Sequence, residues 1–124
     1  MLEQLERHVA ISIFDNGSDE TDTTVNVHLV KVGKIVTAQI EAGGVTAVSA
    51  TLGATEIIPV EFRPAKHILT PIKCTEDGVG QVGLFEVRLD GNIEFYQNVA
   101  GDAPLDGGES FTWETFSTSW IAAS

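Results

Sequence analysis

The chain has 124 residues, 43% of them hydrophobic, and carries a formal net charge of −11 from 18 acidic and 7 basic side chains. This length corresponds to one domain with its own core, and the hydrophobic content excludes a disordered chain. The charge excludes a nucleic-acid-binding surface, which needs clustered lysine and arginine. There is no apolar run long enough to span a bilayer and no signal-peptide pattern, so we expect no membrane insertion.

The first residues predict a short tail outside the core. The Leu2-x-x-Leu5 pattern among charged residues gives about one helical turn, which is too short to be stable alone. We therefore divide the chain into an N-terminal tail or shaft remnant at residues 1–7 and a single β-sandwich head domain at residues 8–124.

An acid-rich segment follows the first predicted strand, His8 to Phe14, and is expected to form a loop over residues 15–23. Its carboxylates belong to Asp15, Asp19, Glu20 and Asp22. Carboxylate oxygens are the ligands that calcium prefers, although their spacing does not match an EF-hand. A solvated acidic loop and a calcium site are the two alternatives, and no other cofactor is indicated.

Alternating apolar residues predict a hairpin in the next segment. Apolar side chains alternate from Val25 to Leu29 and again from Val36 to Ile40, and Gly33-Lys34 provides the turn between them. Val30 and Val32 continue the apolar pattern on the other face, so we expect a β-bulge or burial on both faces there.

The stretch from Pro59 to Tyr96 is predicted to organise the core. Pro64 disfavours the helical conformation for Arg63, which predicts an extended corner. Asp90-Gly91, between alternating apolar residues, is a strong signal for a tight β-hairpin.

The rest of the chain predicts further short strands. Residues 45–51 and 54–60 read as weak strands, and one last strand is expected from Phe111 to Ile121. No helix of ten residues is predicted. Many short strands separated by turn signals predict an all-β fold, a jelly-roll-like antiparallel β-sandwich.

The central motifs also resemble a known family. The Phe62-Arg63-Pro64-Ala65 corner, a proline-containing strand, a glycine-bearing segment and Asp90-Gly91-Asn92-Ile93 are similar to the C-terminal head domains of viral and phage tail fibres. The resemblance covers residues 24–121. It implies a homotrimeric head on the virion surface that attaches to a host-surface receptor, either a glycan or a protein.

Catalytic motifs are not evident. His8, His28 and His67 are far apart in the sequence, and none forms a metal-ligand pair at a useful spacing. Cys74 is the single cysteine and is expected to be a small buried hydrophobic residue. No positioned acid and base can be identified, so we predict that the protein is not an enzyme.

Recognition of a sugar is the binding function that the sequence favours. Aromatic rings stack on apolar sugar faces, while nearby polar groups bind hydroxyls. The candidate aromatic residues are Tyr96, Trp113 and Trp120, and the candidate polar residues are Asn92, Asn98 and Asp102. Packing in the core or in a subunit interface is the competing interpretation for each aromatic residue.

Two further classes of function remain open at this point. One is a virion structural or decoration protein, or a trimeric module of the C1q/TNF type, with no receptor of its own. The other is a calcium-dependent carbohydrate-binding module that uses the acidic segment.

Overall fold

The computed structural model describes residues 3–15, 18–47, 52–54, 58–76, 78–96 and 109–123. These residues form two five-stranded antiparallel sheets, and no helix among them is long and apolar enough to cross a membrane. The strands are β1 (Gln4–Asp15), β2 (Ser18–Val32), β3 (Ile35–Ile40), β4 (Gly43–Ala47), β5 (Leu52–Ala54), β6 (Ile68–Glu76), β7 (Val79–Val87), β8 (Ile93–Tyr96), β9 (Glu109–Trp113) and β10 (Phe116–Ile121).

The two sheets pack face to face as a sandwich. The first sheet has the order β10-β3-β2-β1-β5 and the second has the order β4-β9-β6-β7-β8. Side chains alternate between the two faces of each strand, so that Val36, Ala38 and Ile40 are buried and the residues between them are exposed. The predicted all-β, jelly-roll-like sandwich is therefore confirmed.

Aromatic side chains fill the space between the sheets. Phe95 stacks on Trp113 with ring centroids 4.3 Å apart and packs at a tilt against Phe85. Phe116, from the first sheet, meets the ring of Phe85 edge-on at 5.1 Å and so links the two sheets. Cys74 lies in this core, buried as predicted.

The Phe-Arg-Pro-Ala corner closes one end of the sandwich. A short 3-10 turn at Val60–Phe62 precedes Arg63, which is extended with φ −68° and ψ 144°, as the following proline requires. The Ala65 N–H donates to the Ile121 carbonyl at 2.9 Å, and the Ala123 N–H donates to the Arg63 carbonyl at 2.9 Å. The corner is thus hydrogen-bonded to the end of β10.

The N-terminal residues belong to the first sheet. The tail or shaft remnant predicted at residues 1–7 is wrong for residues 4–7, because β1 begins at Gln4 and Gln4 pairs with Val32. A single turn of helix has little stability of its own, whereas strand pairing with β2 satisfies the backbone groups of this segment. The sandwich therefore starts at Gln4 and not at residue 8.

The acid-rich segment is also a strand. The predicted loop over residues 15–23 is wrong for residues 18–23, because β2 begins at Ser18 and Asp15 pairs with Ser18. The pairing register shifts between Ile13 and Asp15. Ser18 and Thr23 pair with β1 on the two sides of this shift, although the residue types of the segment are rare in strands.

Two other expectations are corrected. The pairing of β2 with β1 and β3 continues regularly past Leu29, so there is no bulge there, and the alternative of burial on both faces fits the half-buried Val30 but not the exposed Val32. The single last strand is two strands, because the chain leaves the second sheet after Trp113 and enters the first sheet at Phe116. Residues 114–115 form the crossover, and apolar alternation alone does not show such a change of sheet.

Candidate functional site

The two predicted tryptophans are core residues. Trp113 is 3% exposed and its indole N–H donates to the Glu41 carbonyl at 2.9 Å, whereas Trp120 is 4% exposed and its N–H donates to the Phe62 carbonyl at 2.7 Å. A sugar needs an exposed ring face to stack on. Neither indole offers one, so the core interpretation applies to both.

Several predicted site residues lie outside the described part of the chain. These are Asn98 and Asp102, and the side chains of Asp15, Asp19, Glu20 and Asp22. The backbone of the four acidic residues lies in β1 and β2. Their calcium site stays a prediction.

Asn92 lies in the turn between β7 and β8. The Arg88 N–H donates to the Asn92 carbonyl at 2.8 Å, and the Asp90 carboxylate accepts from both the main-chain N–H and the side-chain amide of Asn92. The hydrogen bond from the Asn92 main chain holds the pKa of Asp90 below its usual value. Asn92 is therefore held in one orientation and lies half-buried at the tip of the hairpin.

The hairpin tip is attached to the Phe-Arg-Pro-Ala corner. The Ile58 N–H donates to the Gly91 carbonyl at 2.8 Å, and the Arg63 Nε–H donates to the Ile58 carbonyl at 2.9 Å. Gly91 has φ +89°, and a Cβ atom there would lie 2.6 Å from the Ile58 oxygen. Only glycine fits both this conformation and this contact.

Tyr96 belongs to a polar cluster on the outward face of β7 and β8. The Arg88 guanidinium donates to Glu86 through Nε and to Glu94 through Nη2. The Tyr96 hydroxyl donates to Glu94 Oε2 at 3.0 Å and lies 3.4 Å from Arg88 Nη2. The five-residue turn sets this arrangement, because it pairs Glu86 with Glu94 across the hairpin.

Burial and charge tune this cluster. Hydrogen bonding to Glu86 raises the pKa of Arg88, so the guanidinium remains charged, and burial raises the pKa of Tyr96. The side chains of Glu86 and Glu94 are only 13% and 11% exposed, whereas that of Arg88 is 41% exposed. The cluster thus exposes mainly the guanidinium of Arg88, with the largely buried carboxylates and the half-buried Tyr96 beside it.

A second cluster lies on the outward face of the first sheet. His8 pairs directly with His28 across β1 and β2, and their rings stack with centroids 4.2 Å apart. Glu6 Oε1 lies 2.7 Å from His28 Nε2 and 3.7 Å from His8 Nε2. His8 and His28 are thus far apart in the sequence but adjacent across β1 and β2, which their spacing in the sequence does not indicate.

The sequence contained part of the signal for the first cluster. Glu86 and Arg88 share one face of their strand, and counting outward from the predicted turn places Glu94 and Tyr96 beside them. The second cluster depends on the irregular register of β1 and β2. Neither residue spacing nor the turn predicts it.

Comparisons with known proteins are informative about the fold. No family model matches the sequence, and no curated protein matches it. Among solved structures, the chain is similar to the reovirus attachment protein sigma1, determined in complex with α-2,3-sialyllactose. The TM-score is 0.56 at 10% sequence identity, over 99% of this chain and 67% of that one. The two chains share a fold, as the resemblance to viral attachment heads implied.

Proposed function

We propose that this protein is a non-enzymatic attachment domain of a virion-surface protein that binds a glycan on the host cell. The observation that carries the proposal is the structural match to a viral attachment protein over 99% of the chain. The Phe-Arg-Pro-Ala corner and the Asp-Gly hairpin support it independently. They are hydrogen-bonded to each other at one end of the sandwich, where binding groups of sandwich proteins commonly cluster.

The proposed contact surface is the cluster around Tyr96. Arg88, the most exposed member, and the Tyr96 hydroxyl can exchange a protein partner for a sugar oxygen, while the largely buried carboxylates hold them in place. Asn92 lies at the tip of the same hairpin. Asn98 and Asp102 remain proposed contacts because they follow β8 directly in the sequence.

Charge favours a neutral glycan over an acidic one. The hairpin carries the carboxylates of Glu86, Asp90 and Glu94 against one guanidinium, and the whole chain carries −11. A sialic acid carboxylate about 4 Å from one of these groups costs about 1 kcal/mol in water and about 4 kcal/mol near a protein surface. We therefore propose a neutral saccharide as the ligand, unlike the sialyllactose of the reovirus structure.

A glycan array tests this proposal, followed by titration of each hit against two variants. We expect Tyr96→Phe to weaken binding by about tenfold, the effect of losing one hydrogen bond in a charged network. Thr112→Val is the matched control, because it also removes an exposed hydroxyl but lies on β9, which β6 separates from the hairpin of β7 and β8. Equal affinities of the two variants would refute the assignment to the Tyr96 cluster, and an array without hits would refute glycan attachment.

We also propose that the protein is a homotrimer. The resemblance to fibre heads implies a trimer, and the end of the outward face of the first sheet that carries Val32, Ile35 and Ile121 fits an interface between copies. On that face of β2, β3 and β10, none of the described side chains is a carboxylate, a lysine or an arginine, although the chain as a whole is strongly acidic. Val32, Ile35 and Ile121 are exposed there. Copies can therefore approach through this face with little repulsion.

Light scattering tests the trimer. We expect a molar mass near three times 13.3 kDa and a shift to the monomer mass in Ile35→Lys. Leu69→Lys is the control, because Leu69 is similarly exposed but lies on the second sheet. A monomer at micromolar concentration would refute the homotrimer.

A further inference from the structure

We infer that Glu6, His8 and His28 form a binding site for a divalent transition metal ion on the outward face of the first sheet. Their three ligand atoms lie within 4.8 Å of one another. Two imidazoles and one carboxylate form a ligand set that holds zinc in proteins and also suits nickel and copper. This site is separate from the cluster around Tyr96, which lies in the second sheet.

The distances fit a bound ion after small side-chain movements. With metal–ligand distances of about 2.1 Å, the ligand atoms of a tetrahedral site lie about 3.4 Å apart. Glu6 Oε1 is 2.7 Å from His28 Nε2 and 3.7 Å from His8 Nε2, so the present distances bracket that value. The rings stack with 7° between their planes and must tilt for both lone pairs to converge. The His8 side chain is 76% exposed, which leaves room for this tilt.

The backbone already holds the three residues together. Glu6 and His8 are two positions apart on β1 and share a face, and His28 is the direct partner of His8 on β2. A register that continued the Asp15–Ser18 pairing would place Val25 opposite His8 instead. The register shift between Ile13 and Asp15 is what brings the two histidines together.

The surroundings allow the remaining coordination positions to be filled by water. Both histidines line a shallow depression of about 340 Å³, together with Asn26 and Glu41. In the absence of metal, Glu6 accepts a hydrogen bond from the Nε2–H of His28. An ion would replace this hydrogen bond, with the proton of His28 moving to Nδ1 as the tautomer changes.

Nitrogen ligands distinguish this site from the acidic surface. Calcium binds oxygen ligands almost exclusively, so it has little affinity for a site with two imidazoles. Zinc that bound weakly to surface carboxylates would be displaced by calcium, and its binding would not depend on histidine. Competition by calcium therefore separates the proposed site from the predicted calcium site at Asp15, Asp19, Glu20 and Asp22.

The test is titration of the metal-free protein with zinc chloride and with nickel chloride by calorimetry. We expect one ion per chain, unchanged by excess calcium, and a higher Tm with zinc than with EDTA. His8→Gln and His28→Gln should each weaken binding by at least about tenfold, since even the loss of an outer-shell partner costs about that much. His67→Gln is the matched control, because His67 is exposed and lies outside the cluster.

Three results would overturn the proposal. The first is a zinc affinity that is unchanged in both His8→Gln and His28→Gln. The second is displacement of zinc by calcium. The third is an equal loss of zinc affinity in His67→Gln and in the two cluster variants. Circular dichroism of each variant shows whether it has folded. Glu6→Gln is a further test variant, which should also weaken zinc binding, since it keeps the shape of the side chain and removes the charge that an ion needs.

Discussion

Replacing Gly91 with alanine tests how the hairpin tip is attached to the Phe-Arg-Pro-Ala corner. Gly91 has φ +89°, and its carbonyl accepts from the Ile58 N–H. An added Cβ would lie 2.6 Å from the Ile58 oxygen and 2.7 Å from Arg63 Nε. These distances are well inside the contact distance of about 3.5 Å, so the hairpin and the corner must move apart.

The size of the effect follows from two contributions. A positive φ costs an alanine about 1–2 kcal/mol. Moving the Ile58 carbonyl weakens its hydrogen bond with Arg63 Nε and the bond to the Gly91 carbonyl, at about 1 kcal/mol each and more where a buried group is left unpaired. We expect Gly91→Ala to lower the free energy of unfolding by about 3–5 kcal/mol.

Two other glycines isolate these contributions. Gly78 has φ +81° but no atom within 4 Å of an added Cβ. Gly78→Ala should therefore lower the free energy of unfolding by only about 0.5–1.5 kcal/mol, because alanine also reduces the entropy of the unfolded chain and so offsets part of the strain. Gly80 has neither a positive φ nor a close contact, and Gly80→Ala should be neutral or slightly stabilising.

Denaturant unfolding at one fixed protein concentration measures all three variants, because self-association makes apparent stability depend on concentration. We expect Gly91→Ala to be at least about 2 kcal/mol less stable than Gly78→Ala. Equal losses in these two variants would refute the close contact between the hairpin tip and the corner.

Two further predictions concern buried polar groups. Trp120→Phe should lower the free energy of unfolding by about 1–3 kcal/mol, because the Phe62 carbonyl is left without its donor. Trp113→Phe should lower it by less, because water can reach the exposed Glu41. Denaturant unfolding compares the two variants, and equal losses of stability would contradict this difference. Tyr96 is the single tyrosine, so tyrosinate absorbance reports it alone, and it should titrate above the usual pKa of about 10 because burial favours the neutral phenol. The unfolded tyrosine then ionises first, so its contribution to stability is lost as the pH rises above about 10, and a Tyr96 that titrates normally would contradict its partly buried position.

Much of the fold was predictable because its signals are local. The Gly33-Lys34 turn, the Asp90-Gly91 hairpin and the strands with clear alternation are where the sequence predicts them. Each depends on a backbone preference or an apolar pattern within a few residues. The change of sheet after Trp113 was not predictable, because it depends on which distant strand is paired.

The sites were less predictable because they depend on register. Trp113 and Trp120 are aromatic residues of the kind that bind sugars, but the sequence does not show that their indole N–H groups bond to core carbonyls. His8 and His28 are 20 positions apart, and only the shifted register of a long hairpin places them side by side. The residues around Tyr96 were partly predictable, since a five-residue turn fixes the pairing of β7 with β8.

The measurement that tests the proposed attachment function most directly compares binding to one glycan with and without its terminal sialic acid, such as lactose and α-2,3-sialyllactose. The acidic cluster around Tyr96 predicts tighter binding of the neutral member of such a pair and weaker binding by Tyr96→Phe. Preference for the sialylated member would contradict the neutral-ligand proposal. Absence of binding to both members, and to every other glycan on the array, would contradict glycan attachment itself.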